Sequence, residues 1–308
     1  MQRSHIVKVF PWLKRIKRMH PLLLPNGISV IISCQDDSIT LRDCVESFKQ
    51  LADEIIIVSN LATTETVYLC ETLEKEDPSV VKYINAGDVK DLYENRQKGL
   101  ELARYRWVMR CDADYVAYEK GDAYPISKLR DYLLGKFVIW PCAVFMKKVC
   151  LSLGWRKMYD PDNFEPMRFK YIPRVWSGIS EPRIYTQNFL LSFQRLGRKE
   201  GAPYKKIYKK IYFENPFWFE VTIRSPVTLL MRQARTDWRE FGDFKKYPTL
   251  DSYFKYVFMK ERFPNMSTED AAKKYLSEVM DEIEPYDELT YWPLPQRIKN
   301  KNEYSYNL

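Results

Sequence analysis

Apolar residues in the first third of the chain fall into runs of two kinds. Ile28-Ser29-Val30-Ile31-Ile32-Ser33, Glu54-Ile55-Ile56-Ile57-Val58-Ser59 and Val80 to Ile84 are short β-branched runs, the pattern of strands buried on both faces. Between them apolar positions recur at helical spacing. Leu41, Cys44, Val45, Phe48 and Leu51 follow a Thr40 cap with Asp43 at the capping-box position. Val67, Cys70 and Leu73 mark a helix over about 64–76, and Val89, Leu92, Tyr93, Leu100 and Ala103 mark one opened by Asp88. Arg106-Trp107-Val108-Met109-Arg110-Cys111 is a fourth strand that runs into Asp112-Ala113-Asp114. This alternation predicts an α/β fold: a mostly parallel sheet with helices on both faces.

Ligands of such sheets bind beyond the carboxyl ends of the strands. Three polar clusters belong at that edge: Ser33 to Asp37, Ser59 to Thr64, and Asp112 to Asp114. In an extended segment residues i and i+2 share a side, so Asp112 and Asp114 present their oxygens together, a donor pair suited to a hard divalent cation. The same spacing recurs at Asp160-Pro161-Asp162, so placement after a strand, not spacing, singles out the first pair. No G-x-G-x-x-G follows the first strand and no P-loop pattern occurs, which argues against nicotinamide-dinucleotide enzymes and P-loop NTPases.

After about residue 195 the character changes. Arg198 to Pro203 reads as a linker, and Lys205 to Phe213 interleaves basic and aromatic residues. That run is either a strand edge or helix with a solvated basic face, or a contact for acceptor phosphates or a membrane. Residues 226–240 and 250–262 read as helices, Ser267 caps another, and Trp292-Pro293-Leu294-Pro295 reads as an extended strap.

Composition narrows the chemistry. The 308 residues are 45% apolar and 15% aromatic, enough for a substantial core. A net charge of +8 points to an anionic partner, while its near balance outside the N-terminus argues against a nucleic-acid binder. The only histidines are His5 and His20, which excludes Ser-His-Asp and Cys-His nucleophile systems and leaves acid–base work to carboxylates. Six cysteines without a C-x-x-C pair read as buried thiols in a reducing compartment, hence a cytoplasmic protein. Residues 1–24 place Lys8, Lys14, Arg15 and Arg18 opposite Ile6, Phe10, Trp12, Leu13 and Ile16 on a helix that Pro11 interrupts. This segment either lies peripherally on the anionic cytoplasmic membrane face or docks on its own domain.

The blocks I-S-V-I-I-S-C-Q-D-D, D-E-I-I-I-V-S-N, R-Q-K-G-L-E-L-A and W-V-M-R-C-D-A-D, in this order and at these intervals, resemble the family-2 glycosyltransferases of the GT-A fold over about residues 26–120. The resemblance implies a Rossmann-like GT-A catalytic domain over 26–195, its nucleotide-sugar half 26–120 and its acceptor half 121–195. A basic segment (1–25) would precede it and a mainly helical C-terminal extension (196–308) follow. It implies a nucleoside-diphosphate sugar donor, a glycan or polysaccharide acceptor, Mn²⁺ or Mg²⁺, and inversion at the anomeric carbon. By position, Asp36 would hold the nucleoside, Asp112 the ribose or metal, and Asp114 the metal and diphosphate. The wider donor set is Ser33, Gln35, Asp36, Ser59, Asn60, Arg96, Gln97, Asp112 and Ala113. Ser59-Asn60 stands where the family carries a base-reading Asp pair, Cys34-Gln35 where it carries Tyr-Asn, and Gln97 where it carries Asn. The family's base follows the metal motif, and Glu181, Glu165 and Asp162 are its candidates here, Glu181 first. The competing readings are a sugar-nucleotide nucleotidyltransferase, against which the Gly-free Ser33 to Ser38 speaks, and a non-catalytic GT-A-like binding protein.

Overall fold

The β-branched runs form strands because both of their faces meet apolar helices. In the computed structural model, which describes residues 20–87, 92–146, 149–152, 167–169, 182–188, 191–196, 199–201, 208–222, 225–281 and 283–299, β1 (Ile28–Cys34) and β2 (Glu54–Ser59) are buried at every position. β3 (Val81–Asn85) starts one residue later than the pattern suggests and is only half-buried, as befits a sheet edge. β4 (Trp107–Asp112) is buried as far as Cys111 and emerges at Asp112. The helices are α1 (Leu41–Phe48), α2 (Thr64–Glu76), α3 (Leu92–Leu102) and α4 (Ile126–Gly135). Asp88, expected to open α3, lies outside the described residues.

β5 (Tyr115–Ala117), β6 (Cys142–Met146), β7 (Ile184–Thr186) and β8 (Lys209–Phe213) follow, and the main sheet runs β8–β6–β7–β4–β1–β2–β3. β1 pairs in parallel with β2 and β4, β2 with β3, and β6 with β8. β7 alone among these strands runs antiparallel to its neighbours, β4 and β6. Alternating positions feed two cores. Val30, Ile32, Ile55, Ile57, Trp107 and Met109 pack with Cys44, Phe48, Cys70 and Leu133 on one face. Ile31, Ile56, Val58 and Val108 pack with Leu100 and Ala103 on the other. Gly99 sets the approach of α3 to the sheet, since a Cβ there would lie 2.4 Å from Ile31 Cγ2.

One cap differs from expectation. Thr40 makes no side-chain capping bond, and Asp43 turns into the protein, only 2% exposed, where Arg297 Nη1 donates to it at 3.3 Å. The expected strap accounts for this. Residues 288–299 lie along α1 and the β5 region: Tyr118 donates its hydroxyl hydrogen to the Pro293 carbonyl, and Arg297 donates to Glu119 at 2.7 and 2.9 Å. β8 is the edge strand foreseen in the basic–aromatic run, with Lys209 and Lys210 exposed.

The chain divides into two compact units, residues 1–149, 176–221 and 288–305 forming one and 150–175, 222–287 and 306–308 the other. In the second unit α5 (Pro226–Phe241), a 250–262 segment whose middle turn Phe254–Phe258 is π-helical, and α6 (Thr268–Met280) bury Leu230, Ala234, Tyr253, Phe258, Ala271 and Ala272 together. Ser225, Thr249 and Ser267 cap the three as their sequences require. No helix of the described residues is long and apolar enough to cross a membrane.

Candidate functional site

Parallel register brings the three polar clusters to one edge. Ser33 sits beside Val58 on one side and Asp112 on the other, and Cys34 lies beside Ser59. Ser59 and Asp112 thus end β2 and β4, and Ser33 stands one residue before the end of β1 between them. Ser33 Oγ is buried and has no hydrogen-bond partner among the described residues, an orphan of the kind a ligand or ordered water usually explains.

The remaining expected residues surround that edge in different ways. The Gln35 backbone N–H donates to Asp37 Oδ2 at 3.0 Å, which shapes the turn after β1, while Asp36 is exposed. Ser59 Oγ and the Tyr83 hydroxyl are 2.8 Å apart. Asn60 is buried and accepts from Asn95 Nδ2 at 2.6 Å, so its amide is fixed by α3. Gln97 bridges outward: its Oε1 accepts from the Phe193 N–H at 3.0 Å and its Nε2 donates to Glu101 at 3.3 Å. Ala113 belongs to the core.

Asp112 is the hub. Arg96, 3% exposed, donates to its Oδ1, and Arg183 donates to its Oδ2 at 3.1 Å. The Arg96 pKa is lowered to about 10: burial is the main cause, Asp112 opposes it, and Arg110 and Arg183 add to it. Two guanidinium groups beside Arg96 mean that three arginines converge here. Against them stand Asp112, Asp114 and Glu220, which all act on Tyr115, whose pKa burial has raised well above the ordinary value. Arg183 also lies 5.6 Å from the centre of the Tyr115 ring. The buried Tyr115 hydroxyl has no hydrogen-bond partner among the described residues. Asp114, 5% exposed, is held by the antiparallel pairing of β5 with β9 (Trp218–Thr222): its carbonyl accepts from the Val221 N–H at 2.7 Å.

Arg183, Arg110, Glu220 and Asn95 were not among the expected site residues. Arg110 carried a readable signal, because it stands two positions before Asp112 in the same strand and so on the same side. Arg183, just before β7, and Glu220, in β9, reach the site from far along the chain, where no local pattern marks them.

The donor chemistry fits a divalent cation held jointly with phosphate. Mg²⁺-like ions take one or two carboxylates and complete their shell with water and substrate phosphate. Asp112 and Asp114 offer that pair, and Ser33 Oγ is an orphaned oxygen beside it. An all-protein cage does not fit, since no group of three His, Cys, Asp or Glu able to hold a metal occurs among the described residues. Glu181, Glu165 and Asp162, the candidate bases, lie outside the described residues.

Residues 29–150 match the family model of glycosyl transferase family 2, less than half of the chain. No curated protein matches. Among solved structures, a mannosyltransferase, PcManGT, from Pyrobaculum calidifontis in complex with GDP-Man and Mn²⁺ aligns with 91% of this chain and 80% of its own at 13% identity and a TM-score of 0.45. S. aureus TarS 1–349 aligns with 81% of this chain and 78% of its own at 11% identity and a TM-score of 0.42. At these scores neither likeness bears on what this chain binds.

Proposed function

We propose, on the match of residues 29–150 to the family model of glycosyl transferase family 2, that this chain is a metal-dependent, inverting glycosyltransferase, moving a sugar from a nucleoside-diphosphate sugar to a hydroxyl of a glycan or polysaccharide. The observation that carries the reading is the convergence of Ser33, Ser59 and Asp112 at one carboxyl edge, with Asp114 two residues beyond.

In this reading Ser33, Gln35, Asp36, Ser59 and Asn60 hold the nucleoside, with Asn60 preset by Asn95. Asp112 and Asp114 hold Mn²⁺ or Mg²⁺, which when bound supplies Lewis-acid stabilisation of the charge that grows on the departing diphosphate. Arg96 and Arg183 fix the Asp112 carboxylate before donor arrives, so little reorganisation is left for the transfer itself. Their positive charge also favours an anionic donor at this edge. Gln97 supports the site by tying α3, which carries Asn95 and Arg96, to Phe193. A carboxylate must take the acceptor proton on the face opposite the leaving group. Glu181 is favoured over Glu165 and Asp162 because it follows Trp176-Ser177-Gly178, and the family that the chain resembles often places a Glu after Trp-x-Gly. The cytoplasmic setting and the peripheral membrane contact through residues 1–24 belong to the same reading.

A nucleoside diphosphate with Mn²⁺ is expected to raise the melting temperature, and Asp114→Ala to abolish that rise. Release of nucleoside diphosphate that depends on an acceptor sugar supports transfer; formation of pyrophosphate selects a nucleotidyltransferase instead. Glu181→Gln should keep the donor-induced shift and lose turnover. Near-normal turnover would pass the role to Glu165 or Asp162.

A further inference from the structure

We propose that Tyr132, Lys136, Phe137, Ile139, Trp140 and Lys209 form a docking face for an anionic lipid bilayer. Phe137 is 73% exposed, Trp140 70%, Ile139 55% and Tyr132 42%, an unusual concentration of large apolar side chains in one short stretch. The stretch is anchored from below. Val138, between Phe137 and Ile139, is buried in the same core as Leu133, and the Trp140 carbonyl accepts from Cys142 Sγ at 3.3 Å. Burial of one residue and exposure of its neighbours therefore aims the apolar groups outward on a fixed base.

Charge identifies the partner. Lys136 Nζ lies 5.0 Å from the centre of the Tyr132 ring, and the Lys209 N–H donates to the Pro141 carbonyl at 2.7 Å, so a lysine flanks each side of the exposed group. Both ammonium charges act on Cys142: burial raises its thiol pKa, and Lys136 and Lys209 each pull it down. Asp131, exposed on α4, is the acid adjacent in sequence. Tryptophan and phenylalanine settle at the headgroup boundary, and lysines keep their ammonium groups at the phosphates while their stems lie along apolar surface. A protein groove would satisfy the aromatics equally well, but the paired lysines select an anionic surface.

The topology says how the sheet would stand on that surface. Val108 and Ala143 both pair with Tyr185, and β7 opposes β4 and β6 alike, so β6 runs with β4 and Cys142 starts at the amino edge. Ser33, Ser59 and Asp112 close the opposite edge. Residues 21–26 come to the amino edge too: Arg106 Nε donates to the Pro21 carbonyl at 3.1 Å and Asn26 Nδ2 to the Leu134 carbonyl at 3.0 Å. Leu22 and Leu23 there are 38% and 57% exposed. Docking by this edge leaves the edge of Ser33, Ser59 and Asp112 facing away from the bilayer. The proposal does not depend on the glycosyl-transfer reading.

The test is co-sedimentation of the full chain with phosphatidylcholine vesicles, with and without phosphatidylserine. Wild-type protein should pellet with the anionic vesicles and hardly with the neutral ones. Lys136→Gln with Lys209→Gln should weaken anionic binding about thirtyfold, given roughly 1 kcal/mol per basic residue near such a surface. Phe137→Ser with Trp140→Ser should weaken it by at least about tenfold. Lys209→Gln alone, on an exposed edge strand, should lower it about fivefold and guards against misfolding of the double variants. Wild-type binding by either pair, or no vesicle binding at all, overturns the proposal. So does sedimentation velocity showing a dimer that the aromatic pair converts to monomer, which would assign the face to a second copy of the chain.

Discussion

Gly99→Ala tests the packing that places the site. A Cβ at position 99 would lie 2.4 Å from Ile31 Cγ2 and 3.3 Å from Val58 Cγ2. Carbon atoms pack comfortably at about 3.5–4.0 Å, so α3 must lift by roughly 1 Å or Ile31, a β-branched residue in the central strand, must leave its rotamer. Overpacking of this kind costs about 1–3 kcal/mol, while alanine gains about 1 kcal/mol in helix propensity over glycine. A Cβ more than 1 Å too close to a β-branched side chain belongs in the upper part of that range, about 2–3 kcal/mol, so the net expectation is a loss of about 1–2 kcal/mol in urea unfolding followed by tryptophan fluorescence. An Ile31→Ala background decides the cause. There the nearest remaining Ile31 atom is Cβ at 3.5 Å and the one tight contact left is Val58 Cγ2 at 3.3 Å, so the same Gly99→Ala change should lose its cost and become neutral to stabilising, by at most about 1 kcal/mol. Equal effects in both backgrounds, or a Gly99→Ala protein as stable as its parent, would refute the reasoning. The functional readout should follow stability, because α3 carries Asn95 to Asn60 and Arg96 to Asp112.

Arg297→Ala removes the donor to buried Asp43 and both bonds to Glu119, and should cost about 2 kcal/mol in thermal unfolding, less than a fully buried pair because Arg297 is half-buried. A change within about 0.5 kcal/mol would show that the strap contributes nothing there. The thiols of Cys34, Cys111 and Cys142 are all pushed up, by the contact with Cys70 for Cys34 and by burial for the other two, so they stay protonated as pH rises through 9. They should resist an aromatic disulfide reagent in the folded protein and react at once in denaturant; rapid labelling of the native state would contradict this burial. Ser267→Ala removes the cap of α6 and should destabilise it by about 1 kcal/mol, read as a lower helix signal at the foot of the melting curve.

The strands and helices between residues 28 and 112 were legible because each is a local solution. β1 and β2 are apolar on both faces, and α1 and α2 repeat their apolar positions every three or four residues. Ser267 and the D-x-D pair at the end of β4 were readable for the same reason. Thr40 was misleading: its sequence is that of a capping box, but Asp43 is claimed by Arg297 from the far end of the chain. β7 was not legible either, since three residues inserted antiparallel between β4 and β6 have no periodicity to read. By itself, then, the sequence determined which segments become strands and helices and which polar groups stand at strand ends, because those depend on neighbours a few residues away. Only the tertiary structure decided that Asp112 is gripped by Arg96 and Arg183, that Asn95 sets Asn60, and that Glu220 faces the Tyr115 region. Those partners are 16 to 71 residues apart for Asp112 alone, and long-range electrostatic and hydrogen-bond partners leave no periodic trace along the chain.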